Sequence, residues 1–240
     1  MARAKRGKEI EALINRQIRL WETMAQPVVA TEGKKTGRSE RFGPYVTLSR
    51  FIGTAGDEIA RQVADRLGWQ LFDREIVEYI ASESRVRQEI VALFDEKVQS
   101  ELHTWVENLL TFSSMDERHY LKKLSEVVYA IAHHGNAVIV GRGGNFIVPP
   151  RNGLRVRIVA PVGWRVEQLM QKEGLSEEEA RRRIEASDAM QRTFVQRHFH
   201  RDIEDSTGYD LVLNVAALGK ENCVDLIVFG IEKRMAEAGG

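Results

Sequence analysis

Two stretches of this chain combine small residues with charge in a way that suits a phosphate group. The first is Ser49-Arg50-Phe51-Ile52-Gly53-Thr54-Ala55-Gly56-Asp57-Glu58. It follows a strand-like stretch, Tyr45 to Ser49, and precedes an amphipathic helical pattern from Asp57 to Leu67. A strand, a small-residue turn and a helix aim backbone N–H groups and a helix N-terminus at an anion. The candidate phosphate ligands are therefore Ser49, Gly53, Thr54, Ala55, Gly56, Asp57 and Glu58. The match to G-x-x-x-x-G-K-[ST] is partial. Arg50 stands in the first glycine slot, Ala55 in the second and Gly56 in the lysine slot, while Asp57 and Glu58 occupy the region that should supply a hydroxyl. A tight strand-to-helix turn with an acidic first helical turn fits the same residues.

The second stretch is Val140-Gly141-Arg142-Gly143-Gly144-Asn145, at the end of the apolar run Ala137 to Val140. Small neighbours leave the Arg142 guanidinium free to reach into a cleft, and its fork suits a phosphate bidentately. No helix is expected in Phe146-Ile147-Val148-Pro149-Pro150. Asp73, after Trp69 to Phe72, suits either a hydrogen bond to a base or sugar, or an N-cap. Ser176-Glu177-Glu178-Glu179 reads as a capping box that opens a long helix. That helix carries Arg181, Arg182, Arg183, Arg192, Arg197 and Arg201. The arginines fit a mobile lid that supplies transition-state charge, and they equally fit a solvated face paired with Glu177, Glu178, Glu185 and Asp188. His198 and His200 lack further ligands at metal spacing, so no structural metal is expected.

Strand patterns at Tyr45–Ser49, Trp69–Phe72, Ala137–Val140, Leu154–Ala160 and Tyr209–Val215 alternate with helical ones. That alternation predicts an α/β fold with a parallel sheet. Residues 1–44 read as an appendage, comprising an amphipathic helix limited by Pro27 and a polar linker from Thr31 to Gly43. Residues 45–240 read as the domain. Ile10, Leu13, Ile14, Ile18, Trp21 and Met24 fall on one face of the helix, which offers docking on the domain or on a second copy as a homodimer. Lys plus Arg equals Asp plus Glu at 35 each, so nothing draws the chain as a whole to nucleic acid or membrane. No apolar run approaches the ~20 residues of a membrane span. The single cysteine, Cys223, lies in an apolar run and reads as a core residue; a cytoplasmic setting fits it.

Taken together, Thr47-Leu48-Ser49-Arg50, Gly53 to Ala60, Leu71-Phe72-Asp73-Arg74-Glu75-Ile76, Val138 to Gly144 and Tyr209 to Asn214 resemble the cytidylate kinase-like family of P-loop nucleoside monophosphate kinases. The resemblance covers about residues 45 to 235. It implies a P-loop kinase-type three-layer sandwich with a five-stranded parallel sheet, a helical insert and an arginine lid. It also implies ATP and Mg²⁺ as the donor complex, with a nucleotide or other small molecule as acceptor. On that basis Gly53 to Gly56 cradle donor phosphates, and Asp73, Arg142 and Asp188 belong to the acceptor side. Arg192 falls with Asp188 in the lid motif. Cytidylate kinases carry a lysine where this chain has Gly56 and an aspartate where it has Gly143. Arg50, Arg142 and Arg192 are the expected catalytic cations. Two functions remain open: a phosphotransferase, and a non-catalytic nucleotide-binding module with a degenerate loop.

Overall fold

The computed structural model describes residues 2–25, 42–110, 115–149 and 153–239. Most of the expected linker lies outside these residues. The first helix, α1 (Ala2–Ala25), precedes β1 (Tyr45–Arg50), α2 (Gly56–Leu67) and β2 (Gln70–Phe72). Four helices follow: α3 (Arg74–Ser82), α4 (Ser84–Ala92), α5 (Glu96–Leu109) and α6 (Met115–His134). Then come β3 (Ala137–Val140), the short α7 (Gly144–Ile147), β4 (Gly153–Val159), α8 (Val162–Glu173) and α9 (Glu177–Phe199). The chain ends with β5 (Leu211–Asn214), α10 (Val215–Leu218) and α11 (Lys220–Gly239). All five strands are parallel, in the order β2-β3-β1-β4-β5. The chain winds from β1 towards β2 and later towards β5, so the carboxyl ends of the central strands form a crevice, the usual ligand position in such sheets.

Alternation along β1 sends its side chains to two cores. Val46 and Leu48 join Val138, Val140, Ile158, the inner face of α2 (Ile59, Val63) and Cys223 and Ile227 of α11. Tyr45 faces the other way, with Ile139, α6 and α7. Gly68, in the left-handed region, ends α2 as its C-cap. Ser176 and Glu179 form the expected capping box at α9.

One expectation changes and one open choice closes. A helix does start after Gly143: α7 forms its single turn, with Gly143 in the left-handed region as N-cap. The glycines that were read as loop residues supply the positive φ that lets the turn begin. Of the two partners expected for the apolar face of α1, the domain and a second copy, the domain takes it. Ile10, Ile14, Ile18 and Trp21 are buried in the same core as α3 to α6. Trp21 stacks on His134 at 4.3 Å and on Phe72 at 6.0 Å between ring centroids. The face that could have paired two copies is covered by the chain itself. Among the described residues, no helix is long and apolar enough to cross a membrane.

Candidate functional site

A cleft of 660 Å³ opens at the carboxyl ends of β1 and β3, beneath α8 and α9. Of the residues singled out from the sequence, Ser49, Arg50, Gly53, Ala55, Gly56, Asp57, Glu58 and Arg142 all line it. The turn after β1 has the strand, turn and helix-start geometry expected of an anion site. Ala55 holds a left-handed conformation, with φ at 55°, and no side chain caps the helix that follows. A non-glycine residue pays on the order of 1–2 kcal/mol in that region, so the surrounding turn must hold it there. Glu58 and Ile59 N–H turn back to the Ala55 carbonyl at 3.0 and 3.1 Å, so Gly56 and Asp57 carry the N–H groups at the helix start that could meet an anion. Thr54 differs from expectation. It is fully buried and its hydroxyl donates to the Phe51 carbonyl at 2.8 Å, which fixes the turn rather than presenting an oxygen to the cleft.

The charges are arranged around that turn. Arg50 Nε and Nη2 donate to the Asp57 carboxylate at 2.9 and 2.7 Å. The Arg50 stem lies over Gly56, where a Cβ would stand 2.6 Å from Arg50 Cγ. The side chain of the first loop position thus fills the space over the helix start that a side chain at position 56 would enter. Glu58 receives Lys172 Nζ from α8 at 2.8 Å and Lys220 Nζ from the start of α11 at 2.9 Å. Those hydrogen bonds, Lys172 first, hold its carboxyl down at about 2. Lys172 and Lys220 both line the cleft, and neither stood out in the sequence. Lys220 follows the last strand, so the rule of inspecting each strand's carboxyl end points to it.

Across the cleft, Arg142 is in the left-handed region, with φ at 51°. Its guanidinium pairs with Glu78 of α3 and lies 5.1 Å from the Phe194 ring centroid. Burial lowers its pKa. Gly143 beside it has no room for a side chain, because a Cβ there would run into the Phe199 ring. The glycine that stands in place of an aspartate is therefore required by the packing of the end of α9.

Three further residues do not line the cleft. Asp73 caps α3, accepting from Ile76 N–H at 3.0 Å, while its neighbour Arg74 reaches the cleft wall. Asp188 is buried and takes both arms of Arg165, at 3.0 and 2.7 Å. Arg165 also reaches the Ile52 carbonyl at 3.3 Å, so the pair braces the phosphate turn from behind. Arg192 pairs with Glu204 at 3.0 Å, lies 5.2 Å from the Phe51 ring centroid and lines an adjoining hollow that shares Ile203 with the cleft. Among the described residues no group of three or more acidic, histidine or cysteine side chains could hold a metal ion.

A five-stranded parallel sheet with this order, a phosphate-type turn after β1, a helical insert from α3 to α6 and an arginine-bearing lid define a P-loop kinase-type fold. The chain belongs to the cytidylate kinase-like family, which it matches over residues 45–217. It is 22% identical over 187 residues to a cytidylate kinase of Pyrococcus horikoshii, covering 78% of this chain and 88% of that one. It is 28% identical over 105 residues to a cytidylate kinase of Ignicoccus hospitalis, covering 44% and 61%. A crystal structure of an uncharacterised protein from Eubacterium ventriosum shares the fold, with a TM-score of 0.64 at 18% identity over 79% of this chain and 98% of that one. The chain spans only 20% of a Corynebacterium glutamicum uronate isomerase that it matches at 31% identity over 104 residues, or 43% of its own length.

Proposed function

We propose that the protein is an ATP-dependent phosphotransferase acting in the cytoplasm on a nucleoside monophosphate or another small anionic acceptor. The observation that carries this reading is Arg50, which lies over the N-terminus of α2, beside the position where cytidylate kinases carry a lysine. A site for donor phosphates needs a local cation, and the loop keeps one although Gly56 supplies none.

The uncapped N–H groups of α2 suit the donor's β and γ phosphates, and Arg50 suits the charge that grows on them during transfer. Magnesium, when bound with ATP, would supply neutralisation of phosphate charge. Among the described residues Asp57 and Glu58 at the mouth of the turn would face it, once released from Arg50 and from Lys172 and Lys220. Arg142 suits an acceptor anion, fixed for in-line attack. An ionised acceptor oxygen attacks as the bond from the γ phosphorus to the bridging oxygen breaks, and it needs no general base. Arg192, paired with Glu204 and 5.2 Å from the Phe51 ring at the cleft wall, we assign to lid closure. The lack of space at Gly143 supports an acceptor that is not read by a side chain at that position, so a cytosine base is not implied.

The second reading is a non-catalytic nucleotide sensor. It is favoured by the pairing of the cleft's cations with acids: Arg50 with Asp57, Arg142 with Glu78, and both lysines with Glu58. A coupled assay of ADP release over a panel of nucleotides, nucleosides and small phosphorylated acceptors separates the two.

A further inference from the structure

Behind the floor of the cleft lies a buried arginine whose charge nothing in the phosphotransfer scheme uses. Arg157, near the end of β4, is paired in register with Ser49 of β1. It is 2% exposed. Its Nη1 donates to Ser49 Oγ at 2.7 Å, and its guanidinium lies 4.2 Å from the Phe51 ring centroid. Ser49 and Phe51 both line the cleft.

Three guanidiniums surround the Phe51 ring: Arg157, Arg165 and Arg192. Asp188 takes Arg165 and Glu204 takes Arg192, with Asp202 lining the same hollow as Arg192. Among the described residues Arg157 is the one of the three that is in no ion pair with a carboxylate. Its Nη2 finds no hydrogen-bond acceptor there, and neither does the buried Nδ2 of Asn145, which lines the same cleft. Tyr209, whose hydroxyl lies beside Ser49 and Asn145, spends its proton on the Ile203 carbonyl at 2.9 Å. The patch therefore holds a buried guanidinium N–H without an acceptor, on a cation in no ion pair of its own. Such a charge is costly unless an anion meets it.

We propose that Arg157 and Asn145 form an oxyanion subsite at the floor of the cleft, made for a phosphoryl group. The choice of phosphoryl over other anions rests on the phosphotransfer reading; the anion site itself does not. Two sources share this chemistry, the polyphosphate tail of the donor and the monoester of the acceptor.

The test uses the full chain and inorganic phosphate. At constant ionic strength, the wild-type melting midpoint rises with the logarithm of phosphate concentration, as binding to the folded state requires. Arg157→Met, close in volume and uncharged, is no less stable than wild type in chloride alone and loses that rise. A merely structural arginine gives the reverse, a variant destabilised in both buffers that still shifts with phosphate. Asn145→Ala provides a second variant if Arg157→Met does not fold; calorimetric affinity for phosphate falls about tenfold or more. Tripolyphosphate and ribose 5-phosphate then identify the source, by which of the two loses affinity in the variants. Unchanged affinity for both, or equal phosphate shifts in wild type and Arg157→Met, overturns the proposal. An Arg157-dependent phosphate shift in a protein that transfers no phosphoryl group leaves this site standing and removes the phosphotransfer reading. Phosphotransfer with no Arg157 dependence does the opposite.

Discussion

Arg50 at the end of β1 lies against Gly56 at the start of α2, so close that a Cβ at position 56 would stand 2.6 Å from Arg50 Cγ. The two positions exclude each other. One can hold the loop's cation only if the other has no side chain in the same space. Restoring the lysine of the family pattern by Gly56→Lys should therefore weaken ATP binding, by about tenfold or more, because two stems compete for one volume. Combining it with Arg50→Gly should recover most of the lost affinity. Calorimetric titration of ATP into the single and double variants checks this, and additive losses would show that the two side chains do not compete.

Asp188 carries a different load from the one its lid position suggests. With both oxygens on the buried Arg165, it keeps that guanidinium compensated beneath the phosphate turn. Asp188→Ala should cost about 3–5 kcal/mol, the usual penalty for stranding one partner of a buried pair. Replacing both, as Arg165→Met with Asp188→Leu, should cost less than the single change. Urea denaturation measures both. If Asp188→Ala costs no more than a surface substitution, the pair does not brace the turn.

The docking of α1 carries a pH signature. His134 is sandwiched between Trp21 and Phe94, at 4.3 and 4.6 Å, and burial pushes its pKa from 6.5 down to about 4. The folded state thus keeps it neutral while the unfolded chain takes up a proton below pH 6.5. Stability from this group is complete above pH 6.5 and falls as pH drops towards 4. The loss is about 3 kcal/mol for a shift of this size. Burial lowers His133 as well, which adds in the same direction. His134→Phe keeps the stack and should flatten that part of the stability profile. An unchanged slope between pH 6.5 and 4 would show that His134 titrates equally in both states.

The sheet was legible because its strands carry uninterrupted apolar runs, such as Ala137 to Val140, and its helices carry clear stops, such as Gly68. The glycine and arginine positions after β1 and β3 fall together on one cleft, because strand ends in such sheets converge there. What the sequence hid was pairing. Asp188 and Arg192 sit four residues apart on one helix, yet Asp188 is buried on Arg165 while Arg192 is held by the exposed Glu204. Spacing along a helix gives the face and not the partner. Lys172 and Lys220 were invisible for a related reason: each is an ordinary surface lysine until folding brings both to Glu58. Arg157 had a signal, a charge among the apolar residues of a strand, but only the fold shows that it meets Ser49 and an aromatic ring in place of a carboxylate. Gly143 read as a lost aspartate; the Phe199 ring shows why a side chain is excluded.

The central claim is that this altered loop still transfers phosphate and that Arg50 provides its cation. The direct measurement is ADP release from Mg²⁺-ATP by wild type and Arg50→Ala, across a panel of nucleotide and small phosphorylated acceptors. The account predicts release by wild type that depends on a particular acceptor. It predicts a turnover lower by roughly 10²- to 10³-fold in Arg50→Ala, the loss typical of removing one preorganised donor to transition-state charge. A wild-type protein that binds ATP and transfers phosphate to no acceptor, or an Arg50→Ala variant with unchanged turnover, would contradict it.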